Sequence, residues 1–201
     1  MILDHLAVVC SDLDAGTDYV EQQLGVVLQP GGKHARFGTH NRLLGLGGDL
    51  YLEVIAIDPS AQIEGPHWFD LDHFDGPPRL GNWICAVSDL AAAVHDFPFV
   101  GGKIALQRDA LRWQMAVPPN GSLPFDGAFP TLIEWGETTP HPAGALNEQG
   151  VRLSGFEVHH PQSMRIAKML PAISDKVRFI EADQARFCAH FDTPNGPKVL
   201  R

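Results

Sequence analysis

The chain opens on a β-like run, ILDHLAVVC at residues 2–10, followed by a helical stretch and then by further short strand-like runs. Simple alternation along a strand puts Leu3, His5, Ala7 and Val9 on one face and Ile2, Asp4, Leu6, Val8 and Cys10 on the other. Ser11 or Asp12 is placed to cap a helix that runs to about Leu24, with Leu13, Val20 and Leu24 on its buried stripe and Gly25 as the natural residue just past its end. A Pro30-Gly31-Gly32 turn, a loop through His34 and Arg36 and a run near 41–46 lead to the strongest strand signal, YLEVIAID at 51–58. The order read is β-α-β-β-β. Tyr51, Glu53, Ile55 and Ile57 share one face of that last strand, and a carboxylate in such company is costly to bury unless it is paired, protonated or bound to a cation.

A connector follows at 63–79, rich in Pro, Gly and aromatics (Trp68, Phe69, Phe74), and its composition predicts an ordered segment packed on something. The pattern then restarts. Laying Ser88-Asp89-Leu90 on Ser11-Asp12-Leu13 aligns GNWICAVSDLAAAV with DHLAVVCSDLDAG and puts Asn82 opposite His5. A helix over about 89–96, a strand-like stretch at 107–116, a Pro/Gly loop at 118–130 and the strand TLIEW at 131–135 complete a second copy, with Glu134 at about the place of Glu53. A repeat of this kind describes two related modules packed together. From about Gly150 a third, shorter pattern appears: LSGFEVHHP as a strand, a helix over 162–173, a hairpin from VRFIEA and ARFCAHFDTP, and a last strand at Lys198. The expected organisation is a first module at 1–62, the connector at 63–79, a second module at 80–145 and a partial third at 146–201, all within one compact domain.

Composition adds exclusions. With 44% hydrophobic and 19% charged residues, the chain has an ordinary globular balance. A net charge of −9 and 15 unclustered basic residues argue against nucleic acid and against anionic membrane surfaces. No run approaches the roughly 20 apolar residues needed to cross a bilayer, and the N-terminus lacks a signal pattern, so a cytoplasmic protein is expected. Cys10, Cys85 and Cys188 lie far apart in strand-like text and read as reduced core thiols without a CxxC knuckle. His159-His160 before Pro161 reads as a cap and surface pair, and His67 and His73 in the connector as residues without chemistry. No GxGxxG, P-loop, GxSxG or HExxH motif occurs.

Paired β-α-β-β-β modules with a His on the first strand and a Glu on the fourth resemble the vicinal oxygen chelate superfamily. Within it the chain is similar to the glyoxalase-like domain family, through LDHLAVV, GGKHARFGTHNRLL at 31–44, YLEVIAID, LRW at 111–113, LPFDGAFPTLIEWG at 123–136 with His141-Pro142, and FDTPNGP. The resemblance implies an α+β fold: paired modules forming a half-open barrel, with a third incomplete module at the C-terminus. It also implies a divalent metal (Fe, Mn, Ni or Zn) held by His5, Glu53 and Glu134, with Asn82 in place of the usual fourth ligand. Glu134 is then the first choice for catalytic base and Glu53 for permanent ligand. His34, His40, Asn41, Asn82, Trp83, Arg112 and Trp113 are the expected substrate contacts. His40 and Asn41 have opposite parity, so only one faces inward, and Asn41 is favoured.

The function expected is a metal-dependent lyase, isomerase or dioxygenase acting on a small oxygen-rich metabolite, where the ion stabilises an oxyanion. The rival is a metal-free protein that sequesters a small molecule in the same cup, which the Asn at position 82 favours. Open sheet edges and an aromatic connector are compatible with a homodimer.

Overall fold

The computed structural model describes residues 1–170 and 173–201. The first module comprises β1 (Ile2–Val9), α1 (Leu13–Leu24), β2 (Gln29–His34), β3 (Thr39–Gly45) and β4 (Tyr51–Ile57). The second comprises β5 (Arg79–Ala86), α2 (Leu90–Asp96), β6 (Gly102–Arg108), β7 (Leu111–Val117) and β8 (Thr131–Trp135). The helices start where short acceptors meet free backbone N–H groups: Asp12 accepts from Ala15 N at 2.8 Å and Asp89 from Ala92 N at 2.9 Å. Gly25 ends α1 at φ 70°, a left-handed backbone that suits glycine.

All eight strands form one curled sheet in the order β2-β3-β4-β1-β5-β8-β7-β6. The modules meet where β1 and β5 run antiparallel, and in each the first strand pairs in parallel with the fourth. The fold is the α+β half-open barrel expected. Its edge strands β2 and β6 approach one another, and Arg108 at the end of β6 reaches across to β2 and β3. The connector does not hang outside. Trp68 and Phe69 stack at 4.7 Å and pack with Phe37, Trp113, Met115 and Ile133 inside the cup. The aromatic connector is thus packed within the chain, while β2 and β6 remain the edges of the large sheet.

The last strands form a separate sheet, with β9 (Arg152–His160), α3 (Ser163–Met169), β10 (Val177–Glu181), β11 (Arg186–Thr193) and β12 (Gly196–Leu200). The helix expected over 162–173 is observed over Ser163–Met169, and residues 171–172 lie outside the described residues. The element order again reads β-α-β-β-β, but the strand order is β10-β9-β11-β12, with β9 parallel to β10 rather than to its last strand. The apolar face of this sheet covers the convex side of the large one, where Trp83 packs on Phe156 and Phe179. Among the described residues no helix is long and apolar enough to cross a membrane.

Simple alternation fails at one place on β1. The register with β5 passes from Leu3↔Cys85 to His5↔Ile84, so Asp4 is an extra, bulged residue. Leu3 therefore joins Leu6 and Val8 in the convex core, while Ala7 and Val9 line the cup. The bulge gives Asp4 and His5, adjacent in sequence, a common environment.

Candidate functional site

The cup narrows to a cleft lined by His5, Asn41, Tyr51, Glu53, Trp68 and Arg108, among others. Its volume is about 30 Å³, and a groove of about 560 Å³ adjoins it, sharing Leu43, Arg108, Leu111 and Pro142. A cavity of the smaller size holds a water or two, since one water needs roughly 10–15 Å³.

A row of polar groups crosses the cleft. Gly32 N–H donates to Asn41 Oδ1 at 2.7 Å, and Asn41 Nδ2 donates to Glu53 Oε1 at 2.5 Å. These two bonds fix which way the Asn41 amide faces. Gly31 permits the approach, because a Cβ there would come within 2.0 Å of Asn41 Oδ1. The second oxygen of Glu53 faces His5 Nε2 at 3.7 Å. On its other side His5 donates from Nδ1 to Asp4 Oδ1 at 2.5 Å. Asp4 Oδ2 accepts from Trp135 Nε1 at 2.8 Å and from His141 Nε2 at 3.1 Å. Burial by itself would push the Asp4 carboxyl up, but the hydrogen bonds from His141, His5 and Trp135 and the charge of His5 hold it well below the usual carboxylate range. The His5 ring lies flat on Tyr51, centroids 4.3 Å apart. Burial, with the nearby carboxylates of Asp4 and Glu53, keeps the Tyr51 phenol protonated far above its ordinary range.

Opposite the carboxylates stands a cation. Arg108 Nη1 lies 3.3 Å from His34 Nε2 and 3.4 Å from Asn41 Oδ1, and among the described residues it has no carboxylate partner. His34 is pushed down to about 3 by burial first, then by the charges of Arg108, His5 and His40. It is therefore neutral: Nε2 accepts from Arg108, and Nδ1 donates to Thr39 Oγ1 at 3.0 Å, which also accepts from Trp68 Nε1 at 3.0 Å.

Several expected contacts are here and others are not. His5, Glu53, His34, Asn41 and Trp113 line the cleft, and His40 points away from it, as strand parity requires. Glu134 does not belong to the cleft: its neighbour Ile133 faces the cup, and Glu134 Oε2 accepts instead from Leu90 N at 2.8 Å, at the start of α2 on the outer side. Trp83 is on the convex side, where its Nε1 donates to Gly127 O at 3.1 Å. Arg112 is exposed beside Glu134 in an outer groove. Asn82 is fully buried off the cleft and donates to Thr131 Oγ1 at 2.9 Å. Sequence reasoning missed Asp4, Arg108, Trp135 and His141 as participants. The pair His141-Pro142 stood in the family-like text, while Arg108 carried no local signal.

The register explains why the expected metal set His5, Glu53 and Glu134 does not assemble. Ala7 pairs with Glu53 in the first module, and its counterpart Ile84 pairs with Thr131 in the second. The equivalent of Glu53 is thus Thr131, three residues before Glu134, and an odd offset sends a side chain to the opposite face. The second module therefore offers Asn82 and Thr131, bonded to each other, where strong ligands would be needed. Among the described residues no further His, Cys, Asp or Glu atom completes a ligand group around His5 and Glu53. Two ligand atoms do not fit a resident divalent ion, whose sites are built from three or four.

A family model described as glyoxalase-like domain matches residues 3–173. No curated protein matches the chain. Among solved structures, a hypothetical protein from Staphylococcus aureus is similar at 15% identity and TM-score 0.62, over 92% of this chain and 88% of that one. A methylmalonyl-CoA epimerase from Streptomyces coelicolor aligns at 15% identity and TM-score 0.44, over 71% of this chain and 99% of that one. The enzyme of the same name from Mycobacterium tuberculosis aligns at 19% identity and TM-score 0.42, over 66% and 85%. At 15% identity the likeness to the Staphylococcus aureus protein speaks for the fold alone.

Proposed function

The chain belongs to the glyoxalase-like domain family, and we propose that it is an enzyme of the isomerase or lyase type that moves a proton on a small, oxygen-rich, anionic metabolite. The single observation that carries this reading is the opposition, around one cleft, of the buried Asp4–His5 pair with Glu53 and the guanidinium of Arg108, which among the described residues has no carboxylate partner.

In this reading the substrate lies in the adjoining groove with its reacting end in the small cleft, and Arg108, which lines both, takes its carboxylate or developing oxyanion with a planar fork of donors. Glu53 Oε2 removes a proton from the carbon next to the carbonyl, and the electron pair moves onto the carbonyl oxygen facing Arg108. His5 Nε2, held in one orientation by Asp4 and 3.7 Å from Glu53 Oε2, would take that proton after a small side-chain approach and return it to the neighbouring atom. Both groups stand on the same wall of the cleft. The proton then leaves and returns on one face of the substrate, an arrangement that favours an isomerisation or elimination over an inversion between two opposed bases. Asn41 keeps the reacting oxygen of Glu53 free by occupying the other.

The test is carbon-bound hydrogen exchange in D2O, followed by NMR on a panel of small 2-oxo and 2-hydroxy carboxylates. Wild type should exchange one such compound, and Glu53→Gln should lose about two to four orders of magnitude in rate, the usual worth of a positioned acid or base. A second reading, a metal-free binding protein, is favoured by the aromatic walls of Trp68, Phe69, Trp113 and Trp135. Tight binding of an aromatic ligand, unchanged in Glu53→Gln and without exchange of any panel member, would replace the first reading by the second.

A further inference from the structure

The outer face of the C-terminal sheet carries a group of side chains that the cleft does not use. On β9, Glu157 and His159 lie on one face, and on the neighbouring β11 Cys188 and His190 lie on that same face of the sheet. The antiparallel register sets Cys188 directly opposite Glu157, and His190 opposite Gly155, which leaves room for the imidazole over the backbone. The opposite face of the same strands, with Phe156, Val158, Phe187 and Ala189, is buried in the core, so the group is fixed from below.

The ligand atoms of Glu157, Cys188 and His190 all lie within 4.8 Å of one another. Cys188 Sγ is 3.5 Å from His190 Nε2, and His190 Nε2 is 3.5 Å from Glu157 Oε1. Zinc bonds of about 2.3 Å to sulfur and 2.0–2.1 Å to nitrogen or oxygen, set at a tetrahedral angle, require edges of about 3.6 Å and about 3.3 Å. The observed separations are within a few tenths of an ångström of both. The other oxygen of Glu157 accepts from His159 Nε2 at 3.1 Å, so the carboxylate is oriented with Oε1 turned to the other two ligands. Such a bond behind a ligand is what metal sites use to aim it.

We propose that Glu157, Cys188 and His190 form a binding site for a divalent ion of borderline softness, Zn(II) in the first place, on the solvent-facing side of the C-terminal sheet. Sulfur, imidazole nitrogen and a carboxylate select Zn(II) over Mg(II) or Ca(II), which favour oxygen alone. Three protein ligands leave one tetrahedral position free. His190 is 42% exposed on its side chain, so that position opens to water or to an outside ligand. His159 is a positioning residue acting through Glu157.

The test uses Co(II) and Zn(II) alone as probes on the full chain after treatment with a chelator. The expected result is one equivalent of Co(II) with a sulfur-to-metal charge-transfer band, displaced by Zn(II). The band should vanish in Cys188→Ser, and His190→Gln should weaken binding at least tenfold. His159→Phe should weaken it by roughly ten- to a hundredfold, the usual cost of losing such a supporting bond. Glu53→Gln should leave it unchanged, which separates this site from the cleft. If Cys188→Ser does not fold, as judged by circular dichroism, His190→Gln decides, because that side chain is partly exposed and lies outside the core. No bound Co(II), a bound ion without the sulfur band, or binding indifferent to His190→Gln would overturn the proposal.

Discussion

Thr131 occupies in the second module the place that Glu53 holds in the first, each paired in parallel with an equivalent residue of the opening strand, Ile84 and Ala7. The internal duplication thus survives in the backbone while its chemistry has become one-sided. Restoring strong ligands on the second side should restore ion binding. The double substitution Asn82→His with Thr131→Glu is expected to take up one divalent ion together with His5 and Glu53. Melting temperatures with and without Mn(II) or Ni(II) would register it, and a variant that folds but shows no ion-dependent shift would refute the equivalence.

Glu134 is expected to matter for stability and not for turnover. Its carboxylate accepts from the first N–H of α2, where a negative charge meets the positive end of the helix. Glu134→Gln should cost about 0.5–1 kcal/mol in urea unfolding, the range for such terminal interactions. The hydrogen-exchange rate in the cleft should stay at the wild-type level.

Arg108 is expected to control affinity. Arg108→Met should raise KM for an anionic substrate by about tenfold to a hundredfold, since a charge-assisted hydrogen bond is worth roughly 1.5–3 kcal/mol. The same change at the exposed Arg112 should leave KM unaltered, and steady-state kinetics of both variants would check the contrast.

Two buried groups should shape the pH dependence of folding. The carboxyl of Asp4 titrates lower in the folded chain than in the unfolded one, so its contribution is present above the unfolded value near 3.9 and is lost as pH falls below it. The stability gap between wild type and Asp4→Asn should therefore close progressively below about pH 4. His34 titrates at about 3 in the fold against 6.5 in the unfolded chain. The unfolded state binds the extra proton first, so stability drops as pH falls from 6.5 towards 3, and His34→Gln should flatten that part of the profile. Denaturant titrations at successive pH values would separate the two windows.

The strands, the capped helices, the two-module repeat and the inward faces of Glu53 and Asn41 were legible because each depends on a local period or a cap residue. What escaped the sequence depended on register. A bulge at Asp4 cannot be read from ILDHLAVV, since the extra residue exists only relative to β5. Glu134 looked equivalent to Glu53 because an offset of three residues is invisible without the pairing, yet it reverses the face. Arg108 sits at the end of an edge strand and acquires its place only when the sheet curls far enough to bring β6 to β2. Cys188 is the free, buried thiol that its apolar strand suggests, but its nearness to Glu157 and His190, across strands and along one face, emerges only with the register.

The reach of Arg108 has a mechanical consequence. It extends from the last strand of the curled sheet to residues on its first strands, two edges that no backbone ladder joins among the described residues. An anion held by that guanidinium and by groups of the first module would fasten the seam between the halves. Occupancy would then be felt as rigidity along both borders, slowing amide exchange in β2 and β6 far more than in the central strands. A bound metabolite would in this way finish a closure that Arg108 begins across the seam.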